Sequence, residues 1–89
     1  MQYFVYILYS QKLDKYYIGS TGNLFDRLKK HNRSHSGYTS MGKPWILVYN
    51  ENFSIKIDAL KREKQLKAWK NRDRIISLIN SSVGSEHPD

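Results

Sequence analysis

The chain has 89 residues, 39% of them hydrophobic and 13% aromatic; that is the mass of one small domain, able to fold but burying only about 60–65% of the surface it exposes when unfolded. It has no cysteine, which excludes disulfides, thiolate zinc fingers, iron–sulfur clusters and a cysteine nucleophile and fits a reducing, cytoplasmic setting. Fifteen Lys and Arg against eight Asp and Glu leave a net charge of +7, which favours a polyanionic partner, nucleic acid first; no apolar run reaches the ~20 residues of a membrane span, and the first residues lack the basic stretch of a signal peptide.

Tyr3 to Tyr9 is an aromatic and β-branched run, the pattern of a strand buried on both faces. The polar break from Ser10 to Lys15 suits a hairpin loop, and Tyr16-Tyr17-Ile18-Gly19 reads as the returning strand. Pairing Tyr9 with Tyr16 sets Gly19 opposite Tyr6, and period-two alternation then places Tyr6 and Tyr17 on one face. Ser20-Thr21-Gly22 makes a turn, and Asn23 caps a helix that Asp26 favours at its positive end. Leu24, Phe25 and Leu28 form the apolar stripe of that helix, which should end near His31 or Asn32. A Ser/Gly-rich loop spans Ser34 to Gly42, and a third strand runs from Trp45 to Tyr49. Ile57 to Lys70 and Asp73 to Asn80 read as helices. The polar stretch from Ser81 to Asp89, without Lys or Arg, reads as a flexible tail. Residues 1–80 are thus expected to form a single α+β domain, a small three-stranded and partly antiparallel sheet with helices on it, in the order β-β-α-β-α-α.

Four features are unusual for a bland domain. Between Arg27 and Lys43 five basic residues stand without an acid, and between Lys56 and Arg74 eight stand against Asp58, Glu63 and Asp73. Such runs solvate helix faces or meet a polyanion. Glu63 falls on the helical stripe of Ala59, Leu60 and Leu66, where a carboxylate needs a partner; a salt bridge to Lys67 and a role as metal ligand or catalytic acid are both open. Arg27 and His31, four residues apart, share a helix edge. They are either surface residues or a functional pair, with Arg27 holding a phosphate through its planar fork and His31 moving a proton. His31 and His35 have zinc-like spacing but no third ligand nearby. Tyr6 and Tyr17 are core aromatics by position, yet their hydroxyls beside Gly19 would make a polar spot on an apolar face, where a glycine admits a backbone or ligand.

Taken in order, these residues resemble the GIY-YIG nucleases. Val5-Tyr6-Ile7 stands where the family has its first tripeptide, and Tyr17-Ile18-Gly19 reproduces the second, followed by Ser-Thr and a helix carrying Arg27 and His31. Ala59-Leu60-Lys61-Arg62-Glu63 resembles the segment with the family's metal-binding glutamate. Gly37-Tyr38-Thr39 and the strand entered from Lys43-Pro44 are similar to the short single-domain bacterial members. The resemblance spans Tyr3 to Arg74.

It implies a metal-dependent endonuclease that hydrolyses phosphodiester bonds in DNA. Tyr6 and Tyr17 would line the site, one of their hydroxyls activating or orienting the attacking water. Arg27 would hold the scissile phosphate, His31 would assist proton transfer, and Glu63 would bind one Mg²⁺ or Mn²⁺ at the leaving oxygen. Lys29, Lys30, Arg33, Lys43 and Lys67 are the cations expected to contact the nucleic acid. The first tripeptide departs from Gly-Ile-Tyr, and the family's supporting Asn has no clear counterpart in Asn71 or Asn80. No second domain supplies sequence specificity, which leaves open action on structured or on single-stranded DNA, a need for a partner protein, and a homodimer. The alternative is a non-catalytic, basic nucleic-acid-binding module on the same scaffold.

Overall fold

A computed structural model describes residues 2–33 and 38–84. Strand β1 (Tyr3–Ser10) and strand β2 (Lys15–Thr21) form a hairpin; α1 (Leu24–Arg33) and the single turn α2 (Tyr38–Met41) follow. Then come β3 (Trp45–Phe53), α3 (Lys56–Trp69) and α4 (Arg72–Gly84). The strand order is β2-β1-β3, with both pairings antiparallel, so the sheet is antiparallel throughout. None of the described helices is long and apolar enough to cross a membrane.

The hairpin register is the one the alternation predicts: Tyr9 faces Tyr16 and Tyr6 faces Gly19. As the central strand, β1 buries Val5, Tyr6, Ile7 and Leu8 on alternating faces; full burial of such a side chain is worth about 1.5–3 kcal/mol. One face packs Val5 against Ala59 and Leu66 of α3, with Ile18, Phe53, Trp69 and Leu78 around them. The other gathers Tyr6, Leu8 and Trp45, flanked by Tyr17, Leu24 and Leu28.

A β-bulge decides which face Trp45 serves. Ile7 pairs with Tyr49 but Leu8 pairs with Leu47, so Val48 is an extra residue. Phe53, Glu51 and Tyr49 therefore share the α3 side, while Leu47 and Trp45 are switched to the Tyr6 side. The side chain of Asn32, at the end of α1, fixes the start of β3: Trp45 N donates to its Oδ1 at 2.6 Å, and its Nδ2 donates to the Trp45 carbonyl at 3.1 Å.

Several differences from the sequence reading have local causes. Phe25 does not join the apolar stripe of α1; it is 73% exposed, with the Lys29 ammonium 5.7 Å from its ring centre. Leu60 is also exposed, because α3 turns Ala59 and Leu66 inward. Strand β3 continues past Tyr49 through polar Asn50, Glu51 and Asn52, which pair with β1. Part of the expected loop, Tyr38 to Met41, is a helical turn. Helix α4 runs through Ser81 to Gly84, into the expected tail; residues 85–89, and residues 34–37 with His35, lie outside the described residues.

Candidate active site

The site forms where adjacent residues of the edge strand serve opposite faces: Gly19 faces α1, and Ser20 faces α3. Because Gly19 has no side chain, the Tyr6 ring crosses over it toward the sheet edge. Tyr17 lies alongside, its ring stacked 6.5 Å from that of Tyr6 at 20°.

His31 enters this face from α1. The Asn23 side chain accepts from the Asp26 N–H at 3.0 Å, capping that helix. His31 is 7% exposed, so it is no surface residue. Its Nε2 is 3.1 Å from the Tyr6 hydroxyl, and its ring stands edge-on to Tyr17 at 4.7 Å. Trp45 closes the group, 6.0 Å from Tyr17. Burial, and then the charge of Arg27, hold His31 below its ordinary value, so the ring is neutral at pH 7 and can accept a proton. Burial pushes the Tyr6 hydroxyl up to about 12, against an opposing pull from Arg27. In the Nδ1–H tautomer of the neutral imidazole, Tyr6 donates and Nε2 accepts.

Arg27, one turn before His31, is half-buried. Its charge acts on Tyr6, on His31 and on Glu63, so it lies electrostatically between the two faces. Glu63 comes from α3 on the far side. Ser20 Oγ donates to its Oε1 at 2.5 Å, and the Lys67 ammonium sits 2.8 Å from its Oε2. Burial works to raise the Glu63 carboxyl, but Lys67, Ser20 and Arg27 outweigh it and hold it below the ordinary range. The salt bridge to Lys67 weighed from the sequence is thus present. It does not remove the carboxylate from the site, because Lys67 is 54% exposed and can swing away.

The five candidates, Tyr6, Tyr17, Arg27, His31 and Glu63, come from β1, β2, α1 and α3 to one stretch of sheet edge. Lys29, Lys30 and Arg33 are exposed on α1, and Lys43 is half-buried ahead of β3. Asn71 caps α4, accepting from the Arg74 N–H at 3.2 Å, and Asn80 is exposed on α4. Sequence reasoning gave no role to Ser20 or Trp45. Period-two alternation from Tyr17 was the available signal for Ser20; nothing local marked Trp45, which reaches this face through the bulge.

Among the described residues no group of three or more His, Asp or Glu gathers to hold an ion. A cation would rest on Glu63 alone and keep most of its waters, which suits Mg²⁺ or Mn²⁺ rather than zinc. The Glu63 carboxylate, held ionised and paired only with an exposed ammonium that a cation can displace, fits that use.

Comparisons with known sequences and structures give the family. Residues 2–76 match the GIY-YIG catalytic domain. A UPF0213 protein of Staphylococcus haemolyticus is 33% identical over 75 residues, covering 83% of this chain and 90% of the relative. Another from Staphylococcus aureus is 36% identical over 78 residues, covering 86% and 93%. The solution NMR structure of a UPF0213 protein from Bacillus halodurans superposes with a TM-score of 0.57 at 31% identity, covering 88% of this chain and 85% of that one. With the motif tyrosines, the helix that carries Arg27 and His31, and Glu63 meeting at one sheet edge, the chain belongs to the GIY-YIG family.

Proposed function

We propose that this protein is a metal-dependent endonuclease, acting in the cytoplasm, that hydrolyses phosphodiester bonds in DNA. The observation that carries the reading is the convergence of two tyrosines, a neutral histidine, an arginine and an ionised glutamate, drawn from four elements, on one sheet edge. Hydrolysis of a phosphodiester needs a deprotonated water, a counter-charge for the phosphoryl oxygens and stabilisation of the leaving oxygen.

Each requirement has a residue. The attacking water passes its proton to the Tyr6 oxygen while the Tyr6 proton moves to His31 Nε2, so no free phenolate forms on a hydroxyl raised to about 12. Tyr17 flanks that path and orients the water. The Arg27 guanidinium binds the non-bridging oxygens through its fork. Glu63, released by Lys67, would hold one Mg²⁺ or Mn²⁺, which would supply positive charge to stabilise the leaving group. Lys29, Lys30, Arg33, Lys43 and the displaced Lys67 contact neighbouring phosphates.

A second reading, a binding module that does not cut, draws on the Lys67–Glu63 pair, in which the carboxylate is already neutralised. Hairpin, flap, branched, single-stranded and duplex DNA, incubated with Mg²⁺, Mn²⁺ or a chelator, separate the two. We expect at least one substrate to be nicked with either ion and none with chelator. Binding should weaken with salt by roughly 0.7–0.9 log units per log salt for each phosphate contacted. Salt-sensitive binding without nicking of any substrate in either ion would leave the binding module standing.

A further inference from the structure

Beside the site, between β2 and the junction of α3 and α4, lies a cleft of about 480 Å³ that shares only Tyr17 with the five site residues. Its floor is apolar, formed by Tyr16, Ile18, Leu66 and Ile75, and its rim carries Lys15, Lys67, Lys70 and Arg72. No carboxylate lines it among the described residues. Lys67 is held by Glu63 and Arg72 by Asp14, whereas Lys15 and Lys70 form no salt bridge among the described residues. The planar Arg72 guanidinium lies 5.3 Å from the centre of the Tyr16 ring, a flat π surface of the kind on which bases stack. Lys70 stands at the C-cap of α3 with φ 46°, the left-handed conformation that favours glycine. The lysine at that position puts a cation on the rim at a conformational cost.

From this lining we infer that the cleft is a subsite for one unpaired nucleotide of the DNA strand, its base on the apolar floor and its phosphate among the lysines. The cleft has the volume of a small-ligand pocket and cannot admit a paired helix. It joins the proposed catalytic edge through Lys67, one helical turn from Glu63. The inference rests on the nuclease reading and gives that site a substrate class: DNA with an unpaired nucleotide next to the cut.

The test is metal-free binding, followed by fluorescence anisotropy, of a labelled hairpin DNA with a short single-stranded overhang and of the same hairpin with a blunt end. Wild type should bind the overhang about tenfold more tightly. Lys70→Gly and Lys15→Ala should each weaken overhang binding about three- to tenfold and leave blunt binding within about twofold. Lys70→Gly should melt at or above the wild-type temperature, so that lost binding is not lost folding. Equal affinity of wild type for the two hairpins, or equal weakening of both by the variants, overturns the subsite. Failure of the catalytic reading shows elsewhere, as absence of Mg²⁺-dependent nicking with the overhang preference intact.

Discussion

Glu63→Gln is expected to fold, to bind DNA and to lose cleavage by about a thousandfold or more, the scale of several kcal/mol of lost charge stabilisation at the leaving oxygen. The amide keeps the size of the carboxylate, and its oxygen still accepts from Ser20 Oγ. What disappears is the negative charge. The Lys67 ion pair goes with it, but Lys67 is 54% exposed and the pair is of the i,i+4 type, worth about 0.3–0.5 kcal/mol. The melting temperature should therefore change by only a few degrees. Metal-free DNA binding should hold or tighten, since a carboxylate no longer faces the phosphates and Lys67 is released to them. If Glu63 serves only as a structural partner for Lys67, cleavage falls no further than the folded fraction. Melting, metal-free affinity and nicking on one preparation distinguish the outcomes, and a stable variant that nicks at the wild-type rate contradicts the assignment.

Gly19→Ala should be the most damaging single-methyl change in the site. A Cβ there would lie 2.6 Å from Tyr6 Cζ and closer still to its hydroxyl oxygen. Tyr6 cannot give way, being 1% exposed and packed against Tyr17 and His31. Relief requires the β1–β2 pairing to open or the ring to leave its place, and overpacking of this kind costs about 1–3 kcal/mol. For a domain of this size the melting temperature should fall by roughly 5–20 °C. The Tyr6–His31 hydrogen bond should break with it, so the folded fraction should be inactive. Gly22→Ala is the control: its Cβ would meet only Tyr3, at 3.3 Å, and stability should change by a fraction of the Gly19 effect. Equal melting of wild type and Gly19→Ala would mean that Tyr6 does not cross the strand at this point.

Local features were readable from the sequence, and features made by distant contacts were not. Alternation gave the hairpin register and the shared face of Tyr6 and Tyr17, and the Asn23 cap follows from its place before an amphipathic run. The stripe that carries Glu63 was also visible, because Ala59 and Leu66 set it; Leu60, on the flank of that stripe, points to solvent. The bulge at Val48 had no such marker. It is a one-residue mismatch between strands about forty residues apart, yet it sends Trp45 to the tyrosines instead of to α3. The ion pairs that hold the helices on the sheet are equally nonlocal. Arg62 grips both Glu51 oxygens at 3.0 Å, with Tyr49 donating to the same carboxylate. Arg72 ties α4 to the hairpin turn through Asp14, at 2.6 Å. Spacing along a chain carries no information about such partners.

The central claim is that one divalent ion binds at Glu63, on the edge where Arg27 and the tyrosines meet. The most direct measurement is a titration of the isotopically labelled protein with substoichiometric Mn²⁺, followed by paramagnetic broadening of its amide resonances. The account predicts that Glu63, Ser20 and Arg27 broaden first, that excess Mg²⁺ restores them, and that Glu63→Gln abolishes the effect. Broadening centred on other carboxylates, such as Asp58 or Asp73, or no site-specific broadening at all, would contradict it.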